Sequence, residues 1–127
     1  MEPLGIILYG YGREHAERIL STLAKVVKRE LLLISASGFE GKTIHNVLEA
    51  GEADFFEEKE DRFLMLLGFS QEEASRALKG FPGDGGIVRP IFCGLTEENL
   101  NWEIIYLLDH LKEEKAYWDK KKREDAQ

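Results

Sequence analysis

Residues 87–118, IVRPIFCGLTEENLNWEIIYLLDHLKEEKAYW, decide the fold. The apolar run over 87–93 reads as a strand, Gly94, Leu95 and Thr96 form a turn, and apolar residues then recur at helical spacing as far as Trp118. Pro90 removes a ladder donor, which puts this strand at a sheet edge. Thr96 stands where an N-cap belongs, with Glu97 and Glu98 in the first helical turn at the positive end of the dipole.

Everything upstream can be read as a partner for that unit. A strand over 5–9 leads through the turn Gly10, Tyr11, Gly12 into a helix from Arg13, where Ala16, Ile19, Leu20, Leu23, Ala24 and Val27 make an amphipathic stripe. Residues 31–35 form a second strand, and 43–50 a short helix stopped by Gly51. Glu52, Asp54, Glu57, Glu58, Glu60 and Asp61 crowd the next segment, around Phe55 and Phe56. A third strand over 63–67 turns at Gly68 and Phe69 into a helix over 70–79, whose Ser70 and Glu73 have the spacing of a capping box. The FPGDGG run over 81–86 is a loop by composition.

At an offset of 58 residues the second half lies on the first without a gap. Gly10 meets Gly68, Ala16 meets Ala74, Leu20 meets Leu78, and Ile44, Val47 and Leu48 meet Trp102, Ile105 and Tyr106. The expected organisation is therefore one α/β domain over 1–118, made of a duplicated strand-helix-strand-helix unit (halves about 4–51 and 62–109), with a charged tail over 119–127. Strands alternating with helices favour a four-stranded, mainly parallel sheet with helices on both faces. The alternative is a ferredoxin-like split arrangement in which the two units interleave antiparallel.

A chain of 127 residues has room for one core, and its apolar fraction of 43% is that of an ordinary globular domain. The single Cys93 cannot form an intramolecular disulfide and sits in an apolar strand, which points to a reducing compartment. No basic leader opens the sequence and no apolar run is long enough to span a bilayer, so the expected location is cytoplasmic, without membrane attachment. A net charge of -7 opposes the phosphate neutralisation on which nucleic-acid binding depends.

The second half, about residues 62–114, resembles a bacterial and archaeal family known as domain of unknown function 3783. The resemblance rests on the strand and turn FLMLLGF, the helix start Ser70-Gln71-Glu72-Glu73, the Arg89-Pro90-Ile91 strand, and the run Thr96-Glu97-Glu98-Asn99-Leu100-Asn101-Trp102, which is similar to the family's Thr-x-x-Asn-x-x-Trp signature. Gly94-Leu95 departs mildly from the family's usual residues. The resemblance implies a fold unit and no activity.

No catalytic constellation stands out. His15, His45 and His110 never fall at the i, i+4 spacing of a helical metal site, and nothing in the pattern calls for a metal or a cofactor. Gly10, Tyr11, Gly12 and Arg13 follow a strand and open a helix, as a phosphate loop does, but the third glycine is replaced by His15 and no Lys-Ser or Lys-Thr pair follows. Their simpler role is a tight strand-to-helix turn; the functional one is a small anionic ligand beyond the carboxyl ends of the strands. Thr96, Asn99 and Asn101 likewise read either as a cap or as a polar anion cluster, which the neighbouring glutamates would repel. Trp102, Tyr106, Tyr117 and Trp118 read as core plugs or as interface anchors. The leading expectation is a non-catalytic interaction or sensing module that self-associates through its last helix or binds a protein partner. The alternative is a small anionic-ligand binder, or an enzyme, using the turn at residues 10–13.

Overall fold

A computed structural model of the chain describes residues 4–51 and 55–125. Glu52 and Asp54 of the acidic segment, and residues 126 and 127 of the tail, lie outside the described residues. Four strands alternate with four helices: β1 (Leu4–Tyr9), α1 (Arg13–Val27), β2 (Leu31–Ser35), α2 (Ile44–Ala50), β3 (Phe63–Leu67), α3 (Gln71–Gly80), β4 (Ile91–Gly94) and α4 (Ile104–Asp125). They form one sheet in the order β2-β1-β3-β4. β1 pairs parallel with β2 and β3 parallel with β4, while β1 and β3 meet antiparallel at the centre.

The mainly parallel α/β reading therefore holds. In the split alternative a strand of one unit separates the two strands of the other, whereas here each unit's own strands are neighbours. β4 lies at an edge, as Pro90 requires, but it begins at Ile91 rather than at residue 87. The Val88 carbonyl is taken by the Tyr11 hydroxyl, Pro90 has no N–H to give, and pairing resumes where the Ile91 N–H donates to the Arg62 carbonyl at 3.1 Å.

β1 is buried along its whole length, and its side chains divide the interior into two cores. Ile6 and Leu8 pack with Ile19 and Leu23 of α1 and Ala77 of α3. Ile7 and Tyr9 pack on the other face with Ile44 and Val47 of α2 and Ile104, Leu107 and Leu111 of α4. Each fully buried aliphatic side chain is worth about 1.5–3 kcal/mol of transfer free energy, and this two-sided burial explains the near-continuous apolar strands.

The halves meet with Ile7 directly opposite Met65, residues that the 58-residue offset equates. Further along, the correspondence shifts. Ile44 and Val47 match Ile104 and Leu107 in position and in burial, and the partly buried Leu48 matches Leu108 in position, rather than Trp102, Ile105 and Tyr106. A reciprocal bridge explains the shift: the Ile44 N–H donates to the Trp102 carbonyl at 3.1 Å, and the Ile104 N–H to the Lys42 carbonyl at 2.9 Å. The bridge holds Trp102 extended, so a helix cannot run on from Thr96. Residues 99–101 form a separate 3-10 turn instead, and Glu97 and Glu98 stand outside α4.

Candidate functional site

Because β1 runs against β3 and β4, the turn after β1 and the turn after β4 lie at opposite ends of the sheet. Gly10, Tyr11, Gly12 and Arg13 are thus held apart from Thr96, Asn99 and Asn101, and no single ligand can use both groups. The first turn lies where β2 also ends, beside the residues that follow Ser35, as expected from the sequence.

That first turn is occupied by the chain itself. The segment over 55–61 is strapped across it: the Ser35 hydroxyl donates to the Phe55 carbonyl at 2.6 Å, the Glu57 N–H donates to Ser37 Oγ at 3.4 Å, and the Lys59 N–H donates to the Gly10 carbonyl at 3.1 Å. Gly10 has a φ of +92°, and a Cβ there would sit 2.3 Å from the Asp61 carbonyl oxygen, so both the left-handed backbone and the strap demand glycine. Tyr11 is buried, its hydroxyl donates to Val88, and the Arg62 guanidinium covers its ring. Burial raises the Tyr11 phenol well above its usual range. Arg13 lies over the Phe56 ring at 5.1 Å and within 3.9 Å of Glu17. Gly12 lacks a side-chain cap and opens on a cleft of about 230 Å³, but Glu14 and Glu58 line that cleft beside Arg13 and His15. Two carboxylates oppose an anion at this helix start.

Thr96 and Asn99 cap one another. The Thr96 N–H donates to Asn99 Oδ1 at 2.9 Å, the Asn99 N–H donates to Thr96 Oγ1 at 3.0 Å, and the buried Asn99 amide donates to the Gly94 carbonyl at 2.9 Å. Those bonds commit Asn99 to the loop, while Asn101 is exposed. Cys93 lies in β4 with its thiol against the Leu64 carbonyl, and burial together with the Glu114 charge pushes that thiol up to about 12, far from a nucleophile's range. Among the described residues no group of three or more His, Cys, Asp or Glu side chains is placed to hold a metal ion, and no helix is long and apolar enough to cross a membrane.

The aromatic residues of α4 behave differently. Leu111 is the last buried residue of this helix, and every side chain from Lys112 to Glu124 is exposed. One side of this stretch still borders the body: Lys112 Nζ lies 3.1 Å from Asp61 Oδ2, and Lys115, Ala116 and Asp119 wall a cleft of about 350 Å³ opposite Arg62, Val88 and Ile91. Trp102 is half-buried against the α2/α4 core, with its ring centroid 4.9 Å from those of both Tyr106 and His110. Ile105 (52%), Tyr106 (54%), Tyr117 (58%) and Trp118 (54%) stand in solvent, the last two ring against ring at 5.3 Å. Tyr106 and Tyr117 are three turns apart and share a face.

Two further clefts depend on tertiary placement that the sequence does not show. One, of about 530 Å³, lies between the strap and the start of α4 and is lined by Tyr9, Glu40, Glu58, Asp61, Ile105 and Asp109. There the Tyr9 hydroxyl donates to Glu40 Oε2 at 2.8 Å. Burial raises the phenol and the Glu40 charge adds to the shift. Burial acts on the Glu40 carboxyl in the same direction, but the Tyr9 hydroxyl and backbone donors outweigh it and hold that group below the ordinary carboxylate range. The other cleft, of about 500 Å³, opens at the far end of the sheet between β4 and α3, lined by Leu66, Phe69, Leu78, Phe92 and Leu95. The run of acidic residues over 57–61 was the visible signal for the first; nothing in the apolar pattern separates the walls of the second from ordinary core.

Residues 62–118 match the family described as Domain of unknown function (DUF3783), a stretch that runs from the start of β3 through Tyr117 and Trp118 of α4. Neither a curated protein nor a solved structure matches the chain.

Proposed function

We propose that the chain is a non-catalytic, cytoplasmic protein-interaction module that docks through the solvent face of α4. One observation carries this reading. Of the eight large apolar side chains exposed among the described residues, four (Ile105, Tyr106, Tyr117 and Trp118) lie on this one helix, two of them beyond the last buried residue. Scattered exposed apolar residues need no explanation, but two tyrosines on the solvent face of a helix that packs only on its other side have the composition of an interface centre. Aromatic anchors bring large contact area at low conformational cost.

Replacing Tyr106 and Tyr117 together by serine tests the reading. The double variant should unfold within about 1.5 kcal/mol of the parent, the contact of Tyr106 with Trp102 being the main packing lost. It should also lose the associations, with itself or with another protein, that the parent shows by sedimentation or co-purification. Association that survives both substitutions contradicts the reading.

A further inference from the structure

The apolar cleft of about 500 Å³ between α3 and β4 lies on the sheet face away from α4. Phe69 follows β3 and Leu95 follows β4; these strands are parallel, so both residues stand at the same end of the cleft. Leu78 and Phe92 lie further along, beside Arg89. The Arg89 guanidinium covers the Phe92 ring at 4.8 Å and donates from Nη2 to the Leu78 carbonyl at 3.0 Å. That bond satisfies a carbonyl in the last turn of α3, which is its bland role, and uses one of five N–H groups. Arg13, Arg18, Arg29, Arg62 and Arg76 each pair with a carboxylate. Arg89 pairs with none among the described residues, in a chain where acidic side chains outnumber Lys and Arg by 24 to 17. It also borders the cleft beneath α4, but Asp61 and Asp119 there are engaged by Lys112 and Lys115. Gly94 adds a second observation. It points to the same strand face as Phe92, no left-handed φ demands glycine there, and a Cβ would meet nothing within 4 Å. A larger residue would suit the backbone and close the cleft; glycine leaves it open.

We infer that this cleft binds a small monocarboxylate with an apolar chain, of the fatty-acid kind. The chain lies against Leu66, Phe69, Leu78, Phe92 and Leu95, and the carboxylate meets Arg89 at the rim. The volume is that of a small-molecule site, and apolar walls with one convergent polar group are the composition of such sites. A guanidinium fork matches a carboxylate in shape and charge. The net charge of -7 opposes a doubly charged head more than a singly charged one, which favours a carboxylate over a phosphate. The site is separate from the solvent face of α4 and stands whether or not that face docks a partner.

Calorimetric titration with decanoate, kept below its micelle-forming concentration, tests the site. The parent should bind one decanoate, and should bind decanol about tenfold more weakly. Gly94→Leu should weaken decanoate about tenfold or more by filling the cleft, and Arg89→Gln should weaken decanoate about tenfold while leaving decanol unchanged. Positions 89 and 94 are both exposed, so both variants should unfold near the parent's midpoint. Amide shift changes in the parent should centre on residues 66–69 and 92–95, which locates the ligand without any variant. A parent that binds no decanoate, shift changes centred elsewhere, or binding that Gly94→Leu leaves intact overturns the site. Decanol bound as tightly as decanoate, or decanoate binding unchanged in Arg89→Gln, overturns the carboxylate as the class of ligand.

Discussion

α2 and α4 occupy matching places in the two halves of the sheet, yet one has seven residues and the other twenty-two. Their first turns do the same work. Ile44, Val47 and Leu48 press on the sheet face that Ile104, Leu107 and Leu108 cover from the other half, and the backbone bridge between residues 42–44 and 102–104 ties the two starts together. α2 stops at Gly51 once its apolar face is spent. α4 continues for more than three turns after Leu111 without burying another side chain. Length that buries no further side chain in a helix whose counterpart manages without it calls for a role outside the fold, and the exposed tyrosines point to docking.

The largest expected effect tests the shared part. Ile44→Ala and Ile104→Ala should each destabilise the domain by about 2–5 kcal/mol in denaturant unfolding, since both side chains are fully buried in one core. A loss at Ile104 only, with Ile44 neutral, would break the equivalence of the two helices.

Next come the caps. Asn99→Ala removes bonds to Gly94 and Thr96 at a buried position and should cost about 1–3 kcal/mol. Thr43→Ala opens an exposed capping box before α2 and should cost about 1 kcal/mol. Equal losses would mean that the loop before α4 is no more than an ordinary helix cap.

A smaller effect depends on pH. Glu40 has its carboxyl held low in the folded state, so the stability that it contributes is complete above its unfolded pKa and is lost as pH falls through the folded one. Glu40→Gln should therefore flatten the acid limb of the stability curve, measured by unfolding midpoints from neutral pH down through the carboxylate range. The smallest effect belongs to the overhang: Tyr117→Ser and Trp118→Ser should each shift stability by no more than about 0.5 kcal/mol. A larger loss at either would show that the far end of α4 packs on the body after all.

Much of this was legible in the residues. Strand and helix periods placed β1, α1, β2 and β3 within a residue or two, Ser70 and Glu73 form the capping box that their spacing announced, and Pro90 marked the edge strand. The start of α4 was not legible. Thr96 followed three residues later by Asn99 has the look of an N-cap, and the competing demand, the extended Trp102 bridging to α2, is a contact between segments sixty residues apart that no local pattern carries. For the same reason the gapless offset overshot: it equated Trp102, Ile105 and Tyr106 with buried positions, whereas Ile105 and Tyr106 face solvent. The Gly10–Arg13 turn was read correctly as tight, but the strap over 55–61 that fills it is held by a hydrogen bond donated by Ser35 and by bonds that Ser37 and Gly10 accept, whose partners the sequence does not name. Arg18 and Arg76, which the 58-residue offset also equates, part ways for the same reason. Arg76 pairs with Glu72 on its own helix, while Arg18 reaches Asp84 at 2.7 Å in the loop after α3.

The most direct measurement is the mass of the intact chain by sedimentation equilibrium across a wide concentration range at low salt. Self-association through α4 predicts a rise from 14.5 kDa toward twice that value, lost when Tyr106 and Tyr117 are both replaced by serine. A mass that stays at 14.5 kDa at the highest concentration reached would contradict it.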